Sequence, residues 1–120
     1  MNTLPPGLYP GLYIVATPIG NLGDLSPRAA DILSRADVIA AEDTRVTAGL
    51  LRHIGTKRPM TPYHDHNADH VRPHLIARMG SEAVALVSDA GTPLISDPGF
   101  KLVRDARAAG HAVVTIPGPC

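Results

Sequence analysis

The chain has 120 residues, enough to bury one hydrophobic core and too few for two. It is 44% hydrophobic and 18% charged with a formal net charge of zero, so a contact with nucleic acid would need a local basic patch or another part of the protein. Aromatic residues make up 3% of the chain, which leaves little for a base-stacking platform.

The cysteine content and the amino terminus bear on location. Cys120 is the single cysteine, so an internal disulfide is impossible and a reducing compartment fits. Residues 1–10 lack the basic and apolar regions of a signal peptide, and no apolar run approaches the roughly 20 residues of a membrane span. We therefore expect a cytoplasmic protein in which residues 1–11 form a flexible leader and residues 12–120 form the domain.

Strand and helix patterns alternate along the chain. Short apolar runs of β-forming residues predict strands, and apolar residues at helical spacing predict the helices between them. Ser26 followed by Pro27 is typical of a helix start, with serine as the cap and proline in the first turn. The predicted elements, in chain order, are a strand at 12–16, a helix at 26–36, a strand at 37–41, a helix at 44–53, a strand at 59–63, a helix from 68 to about 79, a strand at 83–87, a helix at 98–109 and a strand at 112–116.

Prolines make two of these elements less regular than the rest. Pro59 and Pro62 lack the backbone donor of a strand ladder, so the third strand is predicted to be weaker than the others. Pro73 fits best in the first turn of the third helix. The alternation of apolar strands with helices predicts an α/β fold, a mainly parallel five-stranded sheet flanked by helices.

The connection Ser88–Gly99 is the most informative segment of the chain. It follows a predicted buried strand and is longer than the about 2–6 residues usual between a strand and a helix. Its glycines let a backbone approach a ligand closely, and its prolines restrict the loop before a ligand arrives. We interpret it as a ligand cradle, and the alternative is an ordinary surface turn.

Three further polar or Gly/Pro-rich loops follow predicted strands, at Thr17–Asp24, Glu42–Arg45 and Pro117–Cys120. The carboxyl ends of parallel strands share one edge of a sheet, where open α/β sheets bind their ligands. The four loops together therefore predict one cleft. Because the last loop ends the chain, we expect a larger protein of which this is a part; the alternative is a complete small protein that ends on a strand.

Several common sites are missing from the sequence. There is no phosphate-binding loop of NTPases, no Gly-x-Ser-x-Gly elbow, and no Gly-x-Gly-x-x-Gly spacing in the turn at 18–23, which is either a ligand turn or a plain strand-to-helix turn. The segment Asp89–Thr92 lacks the alternating acids of a calcium loop.

Four histidines, His64, His66, His70 and His74, raise the possibility of a zinc site, because two histidines one helical turn apart can bind the metal. Pro73 is expected to disrupt the helix that would align them, and no cysteine lies nearby. We therefore expect a solvated or substrate-facing segment and no metal.

Charged side chains are concentrated in the loop after the second strand. Asp43 either caps the second helix or takes part in a site. Arg45 either neutralises a neighbouring acid or contacts a phosphate. Both alternatives remain open from the residues alone.

Five motifs in order resemble one known family, at residues 12–24, 40–45, 64–67, 86–99 and 117–120. Over essentially all of residues 12–120, the chain resembles the amino-terminal domain of the ribosomal RNA small subunit methyltransferase I family. That family belongs to the tetrapyrrole-methylase-like class of S-adenosylmethionine (AdoMet) methyltransferases. The chain departs from it in length, because the family has a second α/β domain.

The resemblance implies 2′-O-methylation of a cytidine ribose in small-subunit (16S) ribosomal RNA, either free or in an assembled 30S subunit. It also implies a homodimer in which AdoMet binds between the two domains of each subunit. The implied cofactor contacts are Pro18, Ile19, Gly20, Asp89, Ala90, Gly91, Thr92, Pro93, Ile95, Ser96, Pro117, Gly118 and Pro119. The implied substrate contacts are Glu42, Thr44, Arg45, Asp65, His66 and Asn67.

A ribose hydroxyl is a weak nucleophile at neutral pH and benefits from a base. Asp43 and His64 are the candidate catalytic residues, and Glu42 and His66 remain open. The alternatives are a tetrapyrrole or other small-molecule methyltransferase of the same class, and an inactive ligand-binding or dimerisation module. A basic face for RNA would come from a second domain, from a dimer surface, or from Arg45, Arg52, Lys57 and Arg58.

Overall fold

The computed structural model describes residues 8–17, 25–89 and 97–116. Strands and helices alternate over these ranges: β1 Gly11–Thr17, α1 Pro27–Arg35, β2 Val38–Ala41, α2 Thr44–His53, β3 Met60–Pro62, α3 Ala68–Arg78, β4 Ala83–Asp89, α4 Asp97–Ala108 and β5 Val113–Ile116. The strands form one sheet in the order β3-β2-β4-β1-β5, and every neighbouring pair is parallel. The predicted α/β fold is confirmed.

The helices cover both faces of the sheet, and each face has its own hydrophobic core, so the expectation of a single core is wrong: the sheet separates two layers of buried side chains. Residues of α1 and α2 pack on one face and residues of α3 and α4 on the other. Alternate side chains of β1 serve the two cores, Leu12 and Ile14 on the α3–α4 side and Tyr13 and Val15 on the α1–α2 side. Burial on both faces explains why the strands are continuous apolar runs. None of the helices in the described ranges has the length and apolar character to span a bilayer.

Two predicted helix starts are confirmed in atomic detail. The Ser26 hydroxyl accepts a hydrogen bond from the amide of Ala29 at 3.1 Å, with Pro27 as the first helical residue. A carboxylate oxygen of Asp43 accepts from the amide of Arg45 at 3.0 Å. The helix that Asp43 caps has the predicted bounds, 44–53. Each cap satisfies a backbone donor that the helix itself cannot pair.

The third strand forms despite its prolines because it is short and lies at the sheet edge, next to β2. Pro59 still contributes a carbonyl, which accepts from the amide of Ile39 at 2.9 Å. At the other end of the strand, the amide of Tyr63 donates to the carbonyl of Ala41 at 2.9 Å. An edge strand is paired on one side only, which is where proline is tolerated.

The prediction that Pro73 lies in a first turn is wrong. Pro73 lies inside α3, which begins at Ala68. A proline there cannot donate to the carbonyl of Asp69, but the helix continues to Arg78. Tertiary packing of the buried face, which includes Leu75, outweighs this local penalty.

Two boundaries of the predicted ligand loop differ from the structure. β4 continues through Ser88 to Asp89, two residues beyond its predicted end, and α4 begins at Asp97 rather than at Pro98. The segment between them, residues 90–96, lies outside the described residues. The extension of β4 is explained by pairing with β1, since Asp89 stands opposite Thr17 in the ladder.

Gly49 offers a stabilising substitution. It lies inside α2, and an added Cβ would meet only the guanidinium of Arg52 at 3.7 Å, an ordinary contact. Because alanine restricts the unfolded chain more than glycine does, we expect Gly49→Ala to raise the free energy of unfolding by about 0.5–1 kcal/mol. Urea titration followed by circular dichroism would measure this, and a lower midpoint for the variant would contradict it.

Candidate functional site

The carboxyl ends of β4, β1 and β5 lie side by side at one edge of the sheet. Thr17 ends β1 level with Asp89, and Val15 stands opposite Ile116 of β5. The Thr17 hydroxyl also donates to the carbonyl of Ser88 at 3.2 Å. The chain segments that leave these three strands therefore start from adjacent positions.

Apart from Asp89, the predicted cofactor contacts belong to the segments that follow β1, β4 and β5. Asp89 is the last residue of β4, where its backbone pairs with β1. The remaining predicted contacts lie outside the described residues: Pro18, Ile19, Gly20, Ala90, Gly91, Thr92, Pro93, Ile95, Ser96, Pro117, Gly118 and Pro119.

The predicted substrate contacts follow the other two strands. The segment Glu42–Arg45 leaves β2 and the segment His64–Asn67 leaves β3, its neighbour in the sheet. The hydrogen bond from the Tyr63 amide to the Ala41 carbonyl holds the start of both segments together. The strand order thus separates the predicted site into a cofactor side on β4-β1-β5 and a substrate side on β3-β2.

Asp43 lies at the start of the substrate side. One oxygen of its carboxylate caps α2 and also lies 3.6 Å from the Nε atom of Arg45. The Asp43 side chain is 49% exposed and that of Arg45 is 92% exposed. The capping interpretation is confirmed, and a carboxylate has acceptor capacity for a second partner.

His64 and Asn67 close a tight turn after β3. The Asn67 side chain accepts from the His64 amide at 2.9 Å and donates to the Pro62 carbonyl at 2.9 Å. The Nδ1 atom of His64 accepts from the amide of His66 at 3.2 Å, so the neutral ring carries its proton on Nε2. Asp65 and His66 are exposed to solvent next to this turn.

The four histidines form two pairs of edge-to-face rings. His64 and His66 have ring centroids 5.9 Å apart, and His70 and His74 on α3 have centroids 5.7 Å apart. Pro73 therefore does not disrupt the alignment of the second pair, contrary to the sequence-based expectation, because the helix runs through it. In the described part of the chain, no three His, Cys, Asp or Glu side chains are grouped as a metal site requires.

A buried polar cluster that the sequence analysis missed lies next to the substrate side, on the α3–α4 face of the sheet. Tyr63 is 2% exposed, and its hydroxyl donates to the carbonyl of Pro98 at 2.6 Å. Arg72 is 8% exposed, and its Nη1 atom donates to the Tyr63 hydroxyl at 3.4 Å. Its Nε atom lies 3.3 Å from a carboxylate oxygen of Asp105, and Asp69 accepts from its Nη2 atom. The sequence did contain a signal for this cluster, because Arg72 puts a charged side chain on the same helix face as the buried residues Ala68 and Leu75.

The cluster affects the ionisation of its members. Burial raises the pKa of the Tyr63 hydroxyl above its ordinary value of 10.0, although the neighbouring Arg72 opposes this. The Tyr63 hydroxyl therefore stays protonated, and a hydrogen-bond donor, at neutral pH. A hydrogen bond from Arg104, reinforced by the charge of Arg72, lowers the pKa of Asp105, which keeps this partner of Arg72 ionised.

A small open cleft of about 70 Å³ lies between the first turns of α3 and α4. Sites for small organic ligands usually have about 300–1,000 Å³, so the cleft between the described residues is smaller than such a site. The residues that line it are Asp65, Ala68, Asp69, Arg72, Asp97, Pro98 and Lys101.

The basic residues considered for RNA contact do not lie together. Arg45 is in the first turn of α2, at the carboxyl edge of the sheet. Arg52 is in the last turn of α2, and Lys57 lies in the connection that leads from α2 to the start of β3, at the amino edge of the sheet. Arg58 is near that edge too, where its Nε atom donates to the carbonyl of Ala36 at 2.7 Å. Of these four residues, Arg45 alone is placed next to the predicted cleft.

Comparisons with known sequences agree with the motifs. The profile of the family described as Tetrapyrrole (Corrin/Porphyrin) Methylases matches residues 11–120. The chain is 62% identical over 109 residues to ribosomal RNA small subunit methyltransferase I of Xylella fastidiosa, which covers 90% of this chain and 40% of that protein. It is 54% identical over 110 residues to the protein of the same name from Pseudomonas aeruginosa, which covers 91% and 39% respectively. The chain thus spans about two fifths of the length of these curated relatives.

Two solved structures with a similar fold are those of methyltransferases. A uroporphyrin-III C-methyltransferase from Thermus thermophilus matches with a TM-score of 0.68 and 22% identity, over 93% of this chain and 49% of that one. The cobalt precorrin-4 methyltransferase CbiF matches with a TM-score of 0.71 and 19% identity, over 90% and 45%. At such identities the similarity establishes the fold alone. Since the family profile spans nearly the whole chain, the resemblance read from the motifs is confirmed, and this chain belongs to the tetrapyrrole (corrin/porphyrin) methylase family.

Proposed function

We propose that this chain forms the AdoMet-binding part of an enzyme that 2′-O-methylates a cytidine ribose in small-subunit ribosomal RNA. The observation that carries the proposal is the 62% identity, over 90% of the chain, with a relative named ribosomal RNA small subunit methyltransferase I. The position of the methylated atom, the ribose 2′-oxygen of a cytidine, is what the motif resemblance adds.

The strand order supports an AdoMet site at the ends of β4, β1 and β5. Neighbouring strands lie about 4.8 Å apart, so three segments that leave adjacent strands at one edge can surround a single small ligand. The hydrogen bond between Thr17 and Ser88 ties two of these strand ends together. When bound, AdoMet supplies an electrophilic methyl group. The residues proposed to hold it are Pro18, Ile19, Gly20, Asp89, Ala90, Gly91, Thr92, Pro93, Ile95, Ser96, Pro117, Gly118 and Pro119.

The substrate side has the chemistry to receive an RNA ribose and its phosphates. Arg45 is almost fully exposed at the carboxyl edge and is suited to a charge-assisted contact with a phosphate oxygen. Orientation of the two bound partners is the main contribution of the protein to such a reaction. The other residues proposed to contact the substrate are Glu42, Thr44, Asp65, His66 and Asn67.

The hydrogen bonds favour Asp43 over His64 as the catalytic base. The neutral His64 ring already uses its Nδ1 lone pair to accept from the His66 amide. Its other nitrogen then carries a proton and cannot take a second one from a hydroxyl group. Asp43 has a half-exposed carboxylate at the same edge of the sheet. Its proposed role is to accept the proton of the ribose 2′-hydroxyl.

We further infer a longer protein with a second α/β domain, because the chain spans about two fifths of the curated relatives. A homodimer, which the motif resemblance implies, and a cytoplasmic location, where the proposed ribosomal substrate is found, belong to the same proposal. Such a substrate also reduces the need for a strongly basic domain, because an assembled subunit offers a shaped surface as well as phosphates.

Methyl transfer by the full-length protein tests the proposal. With labelled AdoMet, we expect incorporation into 30S subunits or 16S ribosomal RNA, and nuclease digestion with mass spectrometry should find the label on a cytidine ribose. Labelling of a corrin precursor instead would favour a small-molecule methyltransferase. Binding of AdoMet without transfer to any of these substrates would favour a non-enzymatic module.

A further inference from the structure

The buried cluster around Tyr63 links parts of the molecule that the proposed function separates. We propose that Tyr63 is a positioning residue, which holds the start of α4, and thus the exit of segment 90–96, against the ends of β2 and β3. This inference rests on the proposed function, because segment 90–96 is the main proposed cofactor loop and β2 and β3 lead into the substrate side.

The contacts of Tyr63 reach three elements at once. Its amide donates to the Ala41 carbonyl at the end of β2, one residue before Glu42. Its hydroxyl donates at 2.6 Å to the Pro98 carbonyl in the first turn of α4, two residues beyond Ser96. Its hydroxyl oxygen accepts from Arg72 on α3 at 3.4 Å. A single residue, through its backbone amide and its hydroxyl, therefore joins the substrate side to the downstream end of the cofactor loop.

Arg72 determines the direction in which the Tyr63 hydroxyl donates. Since a guanidinium group is only a donor, the hydroxyl proton must point away from Arg72, and the Pro98 carbonyl is the acceptor at hydrogen-bond distance. The carboxylates of Asp69 and Asp105 compensate the charge of this buried guanidinium. A phenylalanine would fill the same core position, so the hydroxyl is what the link to α4 requires.

The upstream end of the loop has its own attachment. There the Thr17 hydroxyl donates to the Ser88 carbonyl, and β4 is paired with β1 through Asp89. With Tyr63 holding the downstream end, both ends of segment 90–96 are attached to strands of the carboxyl edge. Flanking residues that are held in place before a ligand binds lower the entropy lost on binding.

Tyr63→Phe in the full-length protein tests the proposal, with Tyr13→Phe as the matched control. Tyr13 is also buried, and its hydroxyl donates to the Tyr9 carbonyl at 2.8 Å, but its core is on the α1–α2 side of the sheet. Hydrogen exchange measured without ligand should speed up in residues 97–103 for Tyr63→Phe and not for Tyr13→Phe. Calorimetry should show AdoMet binding weakened by up to about fivefold in Tyr63→Phe, because binding must then supply the ordering that the lost hydrogen bond provides in the wild-type protein.

A role in stability alone predicts a different result, namely similar losses of melting temperature in both variants with unchanged exchange at 97–103 and unchanged AdoMet affinity. That result would overturn the proposal. Arg72→Lys keeps the positive charge but removes the planar guanidinium group that contacts both Tyr63 and Asp105. Hydrogen exchange in residues 97–103 should therefore speed up in this variant too. If the wild-type protein binds no AdoMet, the proposed function fails, and the ligand-free exchange still decides whether Tyr63 holds α4.

Discussion

Asp43→Asn in the full-length protein is expected to reduce the rate of methyl transfer by about 10²–10⁴-fold, the usual contribution of a general base. Asparagine is as good a helix cap as aspartate, so its side-chain oxygen can still accept from the amide of Arg45. The amide group cannot take up a proton. The rate should therefore fall while the melting temperature stays close to that of the wild-type protein, and single-turnover transfer to 30S subunits measures the rate.

Two companion variants separate the roles of Asp43 in structure and in catalysis. Asp43→Ala removes the base and the cap, so it should also lower the free energy of unfolding by about 0.5–2 kcal/mol. His64→Asn keeps an acceptor for the His66 amide while it removes the imidazole. A larger loss of rate in His64→Asn than in Asp43→Asn would reverse the assignment of the base.

Gly11→Ala is expected to destabilise the domain by about 2 kcal/mol or more, because backbone strain is combined with a steric clash. Gly11 begins β1 with a φ of 141°, a conformation that side chains rarely adopt. An added Cβ would lie 2.8 Å from the carbonyl oxygen of Ala112. That carbonyl accepts from the amide of Leu12 at 2.9 Å, so relief of the clash would disturb the start of the β1–β5 pairing.

Gly110→Ala is the matched control for strain without a clash. Gly110 has a φ of 84°, and an added Cβ there would meet nothing within 4 Å. The left-handed conformation alone should destabilise this variant by about 1–2 kcal/mol. Denaturant titrations of both variants measure the difference, and a Gly11→Ala variant as stable as Gly110→Ala would show that the backbone near Ala112 yields easily.

Local signals in the sequence predicted most of the elements. The cap Ser26 with Pro27, and the bounds of α2 at 44–53, follow from side-chain chemistry within a few residues. Pro73 shows the limit of such reasoning, because a local preference for the first turn yielded to the packing of the rest of α3. The predicted end of β4, at residue 87, is too early for the same reason, since pairing with β1 extends the strand to Asp89.

The candidate site shows the same division between local and long-range information. The sequence motifs identified Asp43, His64 and their neighbours as candidate site residues, because short polar segments after apolar runs can be recognised in a single sequence. Tyr63 and Arg72 went unrecognised, since their roles depend on Pro98 and Asp105, which are distant along the chain.

By itself, the sequence determined the alternation of strands and helices, the polar segments that follow the strands, and the family, because periodicity, caps and motifs are contained in short stretches of chain. The tertiary structure alone decided the order β3-β2-β4-β1-β5, which sets the proposed cofactor segments on one side and the proposed substrate segments on the other. It also decided that Tyr63 joins the two sides. The physical reason is that strand neighbours and buried polar partners are selected by the packing of both helix layers on the sheet, a property of the whole chain.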